Sequence, residues 1–280
     1  MPLPDFLIKK IPKHKNIRHI RSIINDPLLH TVCEEASCPN IGECFAQKTC
    51  TFMLLGDTCT RRCAFCGVNK GECAPVDPTE AERISAAVNK LGLTYVVITS
   101  VTRDDLPDGG AGHFANVINL LHITDYLLQI EVLIPDFQGN ERSLLTVLEA
   151  DPTVLNHNIE TVPRLYPAVR PQAIYRRSLD LLARAKAAKT NIYTKSGFMV
   201  GLGETDEEVI STLNDLVKAG CDIATIGQYL PPSPLHPRPA RYVRPEQFEQ
   251  WGSLGDRLGI KVEAGPFVRS SYHAGKLVKK

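Results

Sequence analysis

The sequence predicts an α/β fold, a partial (β/α)6 TIM-like barrel with N-terminal and C-terminal extensions. From residue 51, short β-branched or aliphatic runs alternate with amphipathic stretches, and six such pairs follow one another. A series of this kind favours a parallel sheet, because each helix returns the chain to the start of the next strand. The length of 280 residues and the hydrophobic content of 43% are sufficient for one large packed domain.

The elements are expected in strict alternation. The strands are predicted at residues 51–56, 94–100, 126–134, 153–158, 191–201 and 222–229. The helices are predicted at residues 79–91, 112–122, 140–150, 175–188, 205–219 and 245–258. The helix at 205–219 has a clear start, because Thr205 precedes three acidic residues that suit a helix N-terminus. Six units rather than eight predict an incomplete barrel, open enough for a bulky substrate.

Three regions are expected along the chain. Residues 1–50 contain proline, histidine and charged residues without a periodic pattern, which predicts an N-terminal extension of short helices and loops. Residues 51–250 are the predicted barrel, and residues 251–280 are a C-terminal extension. The proline-rich segment 231–245 is expected to be an ordered loop, because proline disfavours helices and central strands.

Composition narrows the function. Thirty-two basic and 31 acidic residues leave a net charge of +1, which gives no reason to expect nucleic acid or an anionic membrane as a partner. There is no apolar run of about eighteen residues and no apolar signal core, so a cytoplasmic protein is expected. Nine cysteines in a reducing compartment indicate metal binding or catalysis rather than disulfides, and eight of them lie between Cys33 and Cys73.

One cysteine triplet directly follows the first predicted strand. Cys59, Cys63 and Cys66 have the spacing Cys-x3-Cys-x2-Cys. The loops after barrel strands build active sites, so this triplet is expected at the barrel mouth. Three thiolates hold three irons of a [4Fe–4S] cube and leave the fourth open to chelate S-adenosylmethionine, whose reductive cleavage releases a 5′-deoxyadenosyl radical. The alternative is a zinc site with an unrecognised fourth ligand.

A second triplet precedes the barrel. Cys33, Cys38 and Cys44 follow the pattern Cys-x4-Cys-x5-Cys in a region without an obvious core. One interpretation is a structural metal site that replaces hydrophobic packing. Such a site requires a fourth strong ligand, for which the nearby candidates are Cys50, Cys73 and His30.

The spacing of the Cys59 triplet, followed by the β/α series, resembles the radical S-adenosylmethionine superfamily over residues 51–230. The segments NHNIE (156–160), PAVR (167–170) and GFMVGLGET (197–205) resemble those with which biotin synthase and its relatives hold the cofactor. The resemblance implies that Asn158 and Glu160 bind the ribose or amino group and that Arg170 binds the carboxylate. It also implies that the turn from Gly201 to Glu204 passes close to the adenine. The alternative for this turn is a helix cap that touches no ligand.

The Cys33 triplet, together with a distant serine pair, resembles the lipoyl synthase family over nearly the whole chain. The serines lie in GPFVRSSYHAG (265–275). The resemblance implies an auxiliary [4Fe–4S] cluster held by Cys33, Cys38 and Cys44, with Ser271 as its fourth ligand and Ser270 as the close alternative. Because serine oxygen is harder than the thiolate that iron prefers here, its corner of the cube is expected to be labile.

The resemblance implies a sulfurtransferase that uses S-adenosylmethionine and two [4Fe–4S] clusters. It would insert two sulfur atoms, at C6 and C8, into an octanoyl-lysine on a lipoyl carrier domain of the dehydrogenase E2 or glycine cleavage H protein type. The auxiliary cluster would donate the sulfur. Further implied partners are a flavodoxin or ferredoxin as electron donor and iron–sulfur assembly or carrier proteins. Two alternatives remain: a biotin-synthase-like sulfur insertion, and a non-enzymatic iron–sulfur carrier.

Overall fold

A computed structural model describes residues 3–8, 18, 22–24, 26, 28–36, 38–46 and 49–278. It is an α/β protein whose strands pair mainly in parallel. Two compact units divide the chain. The described residues of the N-terminal unit fall within Ile11–Arg61 and Gly67–Leu155, and those of the C-terminal unit fall within Met1–Lys10, Arg62–Cys66 and Asn156–Lys280.

The N-terminal unit contains a parallel sheet with one antiparallel strand. Its strands are β1 (His30–Thr31), β2 (Thr51–Leu54), β3 (Thr58–Cys59), β4 (Asn69–Lys70), β5 (Tyr95–Ser100) and β6 (Gln129–Leu133), and β7 (Val154–Asn156) lies at its boundary. Strand β5 pairs in parallel with β2 and β6, whereas β1 is antiparallel to β2 and β3 pairs separately with β4. The helices of this unit are Val32–Glu35, Ile41–Ala46, Glu80–Leu91, Ala111–Thr124 and Glu141–Glu149.

The core of this unit explains why its strands are continuous apolar runs. Val96, Val97 and Ile98 of β5 are all buried, which requires cover on both faces of the strand. The helices supply part of that cover through side chains such as Ile84 and Val117, which are almost inaccessible to solvent. Each helix therefore presents one apolar face and leaves its polar face in water.

The C-terminal unit contains three parallel strands. They are β8 (Tyr193–Val200), β9 (Ile223–Gln228) and β10 (Lys261–Gly265), with β9 in the middle. Its helices are Tyr166–Val169, Tyr175–Ala188, Asp206–Lys218 and Pro245–Leu258. Helix Asp206–Lys218 begins with a capping box, in which Thr205 and Glu208 bond to each other's backbone N–H groups. The start predicted from Thr205 is confirmed.

The six predicted strands and six predicted helices are present, and the α/β fold class is confirmed. Residues 229–244 contain neither helix nor strand, as expected for the proline-rich segment. Four strands in the described residues were not predicted: β1, β3, β4 and β10. Strand β10 escapes a hydrophobicity pattern because its residues are partly or largely exposed. The boundaries at residues 50 and 250 remain predictions, and part of residues 1–50 lies outside the described residues.

Within the described ranges, no helix combines the length and the apolar character needed to cross a lipid bilayer.

Candidate active site

Cys59 ends strand β3 in the N-terminal unit, where two backbone amides donate to its sulfur. The N–H groups of Arg61 and Thr102 lie 3.4 and 3.3 Å from Cys59 Sγ. Thr60 fixes the same turn, because its N–H and its hydroxyl both donate to the carbonyl of Thr102, at 3.0 and 2.9 Å. Amide donors complement the negative charge of a metal-bound thiolate, so these surroundings suit an iron ligand.

Arg61 is buried in an ion-pair network directly after Cys59. Its Nε and Nη2 donate to the two carboxylate oxygens of Asp104, at 2.7 and 2.9 Å, and Nη2 also donates to Asp136 Oδ1 at 2.5 Å. Arg61 is therefore a buried ion-pair partner and not an exposed side chain. Asp104 and Asp136 were missed, although each lies within a few residues of a strand end, after β5 and β6.

Replacing Arg61 by alanine is expected to destabilise the chain. Asp136 would keep a buried carboxylate without its cation, and breaking a buried ion pair costs about 3–5 kcal/mol. In a protein of this size the melting temperature should fall by on the order of 10 °C. The measurement is thermal unfolding of the metal-free chain, with the exposed neighbour variant Arg62→Ala as the control. Equal melting temperatures for the two variants would refute the network's role.

In the C-terminal unit, three hydrogen bonds hold the segment that carries Cys63 and Cys66. The N–H of Arg62 donates to Gln172 Oε1 at 2.7 Å, and the N–H of Ala64 donates to the carbonyl of Val169 at 2.9 Å. The third bond joins His236 Nε2 to the carbonyl oxygen of Cys66 at 3.1 Å. A carbonyl only accepts, so Nε2 carries the proton in this bond. This role of His236 depends on a contact across 170 residues, and no sequence pattern indicated it.

Arg170 directly follows helix Tyr166–Val169 and is buried. Its Nη1 donates to the carbonyl of Asn158 at 2.9 Å and to the hydroxyl of Tyr166 at 3.2 Å. Burial opposes its charge, but its anionic neighbours, which include Glu160 and Cys63, raise its pKa. Its Nε is buried and has no hydrogen-bond partner among the residues that the structure describes. The guanidinium thus retains an unused donor near Cys63, which suits an anionic ligand.

Glu160 lies in a strained backbone conformation beside Arg170. Its φ angle is 63°, in the left-handed region that residues other than glycine rarely adopt, and such strain is typical of functional sites. Asn158 Nδ2 donates to Glu160 Oε1 at 3.1 Å. Desolvation by the surrounding protein raises the pKa of the Glu160 carboxyl. The charge of Arg170 and the hydrogen bond from Asn158 partly offset that rise.

Two glycines allow the C-terminal segment to lie against strands β8 and β9. A Cβ on Gly197 would be 2.7 Å from Ser270 Oγ and 2.9 Å from Asn158 Oδ1, and one on Gly227 would be 2.1 Å from the carbonyl oxygen of Val268. The close approach lets the Ser270 hydroxyl donate to Asn158 Oδ1 at 2.8 Å. The structure therefore brings Ser270 to the Asn158 side chain, a contact that sequence reasoning missed.

The turn from Gly201 to Glu204 is held by its own carboxylate. Glu204 Oε1 accepts from the N–H of Gly201 at 2.7 Å, and Oε2 accepts from the N–H of Leu202 at 2.9 Å. Gly201 has a φ of 94°, and a Cβ there would be 2.2 Å from Gln228 Nε2. Because both oxygens of Glu204 serve the turn, this residue positions the backbone that a ligand would meet.

Cys33 and Cys44 lie on the short helices Val32–Glu35 and Ile41–Ala46 of the N-terminal unit, and Cys38 lies in the segment between them. The N–H of Cys38 donates to the carbonyl of Cys33 at 3.1 Å, and the N–H of Cys44 donates to that of Asn40 at 2.9 Å. Burial raises the pKa of the Cys33 thiol to about 12, with a smaller rise from the thiols of Cys38 and Cys44. Cys38 and Cys44 are thus both near enough to Cys33 to affect the charge on its sulfur.

The candidates for a fourth structural ligand differ in their surroundings. His30 Nδ1 pairs with Glu35 Oε1 at 3.2 Å, and Cys73 Sγ donates to the carbonyl of Thr58 at 3.0 Å. Cys50 is buried, and burial followed by the charges of Cys33 and Cys44 raises its pKa. Cys50 thus lies near Cys33 and Cys44, whose charges contribute to its raised pKa.

Thiolates and nearby amide donors are the groups that an iron–sulfur cube requires of a protein. Among the described residues, no set of three or more His, Cys, Asp or Glu side chains is placed to bind one metal ion. A cube makes a different demand, because each thiolate binds a separate iron. The thiols of the Cys33 triplet and the amide donors at Cys59 are groups of that kind, and the unused donor of Arg170 suits a carboxylate.

Comparison with known proteins identifies a family model and close relatives of known family. The family model described as the radical SAM superfamily matches residues 53–216. A lipoyl synthase from Caldanaerobacter subterraneus is 54% identical over 97% of this chain and 95% of the relative. A lipoyl synthase from Caldicellulosiruptor saccharolyticus is 52% identical over 99% of this chain and 97% of the relative.

Solved structures share the fold at low sequence identity. Methylornithine synthase superposes with a TM-score of 0.58 over 88% of this chain and 74% of its own, at 14% identity. Streptococcus suis SuiB bound to S-adenosylmethionine superposes with a TM-score of 0.61 over 86% of this chain and 56% of its own, at 11% identity. At such identities the likeness supports the fold alone.

Proposed function

The chain belongs to the lipoyl synthase family of radical S-adenosylmethionine enzymes, and from that premise we propose the roles of its own residues. It is a sulfur-inserting enzyme that uses S-adenosylmethionine and [4Fe–4S] clusters, and its substrates are lipoyl carrier proteins. We propose that it inserts sulfur at C6 and C8 of a protein-bound octanoyl-lysine. Those carbons are unactivated, which is the reason that radical chemistry is needed.

We propose that Cys59, Cys63 and Cys66 hold the cluster that cleaves S-adenosylmethionine. When bound, this cluster supplies the electron for that cleavage and leaves one iron free for the cofactor. The chain's contribution is to fix the three sulfurs. The amides of Arg61 and Thr102 stabilise the negative charge on Cys59, and His236 restrains the backbone at Cys66.

Asn158, Glu160 and Arg170 are the proposed cofactor-binding side chains. What supports this assignment most directly is Arg170, a buried arginine whose Nε has no partner among the described residues. A guanidinium with a free donor recognises a carboxylate, and a carboxylate such as that of Glu160 accepts from an amino or hydroxyl group. Gly201 and Glu204 are proposed to hold the turn beside the adenine, with Glu204 acting through the backbone amides that it binds.

We propose that Cys33, Cys38, Cys44 and Ser271 hold the auxiliary cluster. When bound, this cluster supplies the sulfur that is inserted. Ser270 already donates to Asn158, whereas the described residues offer no hydrogen-bond partner to the side chain of Ser271. This difference supports Ser271 over Ser270 as the oxygen ligand. Residues 1–50 and 251–280 are accordingly proposed as extensions that serve the barrel in residues 51–250.

The same chemistry leads us to propose more specific partners. We propose carrier domains of the dehydrogenase E2 or glycine cleavage H protein type as substrates and a flavodoxin or ferredoxin as the electron donor. A cluster that donates its sulfur must be rebuilt, so iron–sulfur assembly or carrier proteins are proposed as further partners. A cytoplasmic location is proposed because exposed cluster thiolates need a reducing compartment.

The decisive test offers the reconstituted protein an octanoyl-lysine peptide or dethiobiotin, anaerobically, with S-adenosylmethionine and a strong reductant. Sulfur should appear in the octanoyl peptide and not in the biotin precursor, as measured by mass spectrometry. Cleavage of S-adenosylmethionine without any thiolated peptide would refute the function, and sulfur in dethiobiotin would favour the biotin-synthase alternative. A simple iron–sulfur carrier would cleave no cofactor.

A further inference from the structure

The segment between β9 and helix Pro245–Leu258 lies beside the segment that carries Cys63 and Cys66. We call residues 231–244 the proline loop, because residues 231–239 include five prolines. Hydrogen bonds anchor it at several points. His236 Nε2 donates to the carbonyl of Cys66 at 3.1 Å, Tyr229 Oη donates to that of Pro237 at 2.9 Å, and the N–H of Ala240 donates to that of Gly201 at 2.8 Å. The loop therefore holds its shape next to the proposed chemistry.

One side chain of the proline loop is unusually exposed. Leu235 is 95% accessible, the highest value among the exposed large hydrophobic residues of the described chain. It directly precedes His236, whose ring is bonded at both nitrogens, to Cys66 and to Ser233 Oγ at 2.9 Å. An isolated exposed leucine is ordinary on a mobile surface. Here the anchored neighbour fixes Leu235 beside the cysteine segment, as an apolar anchor at an interface would be fixed.

The proline loop also carries an uncompensated positive charge. It contains Arg238, Arg241 and Arg244 and no Asp or Glu. Arg241 is neutralised, because it pairs with Asp206 at 2.7 Å and lies 3.4 Å from Glu204. Arg238 and Arg244 are exposed, and neither forms an ion pair with any residue in the part of the chain that the structure describes. The available charge is thus positive on either side of the anchored turn.

We propose that Leu235, Arg238 and Arg244 form the docking surface for the octanoylated carrier protein. This inference rests on the proposed function, in which the octanoyl-lysine of a folded carrier must reach the cysteine loop. The octanoyl-lysine side chain is short, so the surface of the carrier must contact this chain next to Cys63 and Cys66. The proposed contact pairs the two arginines with an acidic surface of the carrier and covers Leu235 with an apolar one.

The stiffness of the loop favours this role. A prolyl-rich segment that is already anchored loses little conformational freedom when a partner binds, so more of the contact energy appears as affinity. Charges at a rim chiefly accelerate association and make it sensitive to salt. The carrier is therefore expected to bind by steered association followed by a small apolar contact.

The test compares two substrates that differ only in the carrier. One is a short, uncharged octanoyl-lysine peptide, and the other is a folded octanoylated carrier domain. For Leu235→Ser and for the double variant Arg238→Glu/Arg244→Glu, kcat/KM with the carrier should fall about tenfold or more through KM. With the peptide, both variants should stay within about twofold of the unaltered chain. Arg257→Glu/Lys90→Glu, an exposed double charge reversal elsewhere, is the matched control.

A binding measurement separates the surface from the chemistry. The affinity of the carrier domain for the chain, measured by fluorescence anisotropy, should weaken with salt for the unaltered chain and lose most of that dependence in the double variant. Unchanged carrier binding in the variants would overturn the docking surface, and so would an equal loss with both substrates, which indicates a disturbed cysteine segment. If the unaltered chain thiolates neither substrate, the proposed function fails, while the binding data still decide the surface.

Discussion

Replacing Cys33, Cys38 and Cys44 together by alanine is expected to abolish sulfur insertion and to leave the cleavage of S-adenosylmethionine intact. Cys38 and Cys44 both contribute to the raised pKa of the Cys33 thiol in the N-terminal unit, and the three are proposed as one ligand set. Iron should fall from about eight to about four atoms per chain, because one of two cubes is lost. Iron analysis measures the cluster content, 5′-deoxyadenosine release measures cofactor cleavage, and mass spectrometry of the peptide measures sulfur insertion. If the triple variant lost cofactor cleavage as well as thiolation, separate roles for the two cysteine triplets would be contradicted.

Single variants then identify the fourth ligand. Ser271→Ala should weaken the auxiliary cluster and thiolation without changing cofactor binding. Ser270→Ala should instead weaken cofactor binding, because it removes the bond to Asn158 Oδ1. Cys50→Ala tests the structural alternative, since Cys50 is buried beside the triplet. Retention of both clusters in the Cys50 variant is expected, and loss of the auxiliary cluster there would make Cys50 the fourth ligand.

Replacing Arg170 by methionine is expected to have a comparably large effect on the cofactor. The variant keeps most of the side-chain volume but loses the donors of a buried guanidinium, and charged hydrogen bonds of this kind contribute about 1.5–3 kcal/mol each. Binding of S-adenosylmethionine should weaken by about a hundredfold or more. Equilibrium dialysis with the reconstituted chain measures it. The exposed Arg164→Met is the control, because Arg164 pairs with Glu208 at the surface.

The pH dependence of the Arg170 variant should change in a defined direction. Burial already raises the pKa of Glu160, and Arg170 is the first of the groups that oppose the rise. Without the guanidinium the pKa of Glu160 rises further. The ionised carboxylate exists above its pKa, so cofactor binding that depends on it should be lost at a higher pH in the variant as the solution is acidified. Identical pH profiles would exclude Glu160 from the site.

Local sequence determined the order of elements and the ligand spacing. The alternation of apolar runs with amphipathic stretches specifies strands and helices because each depends on a few neighbouring residues. Cys59, Cys63 and Cys66 are close in the chain, so three thiolates can be recognised without knowing the fold. The same holds for Thr205, whose capping box involves only residues of one helical turn.

Only the tertiary structure decided which distant residues contact the predicted site residues and their neighbours. Arg61 meets Asp136 across 75 residues, His236 meets Cys66 across 170, and Ser270 meets Asn158 across 112. Such contacts depend on which strand ends the fold brings together, and a hydrophobic period carries no information about that. The same reason applies to Glu204: the resemblance placed its turn close to the adenine, and the structure shows that its oxygens hold that turn. Composition and spacing thus specify the chemistry, and packing specifies the residues that position it.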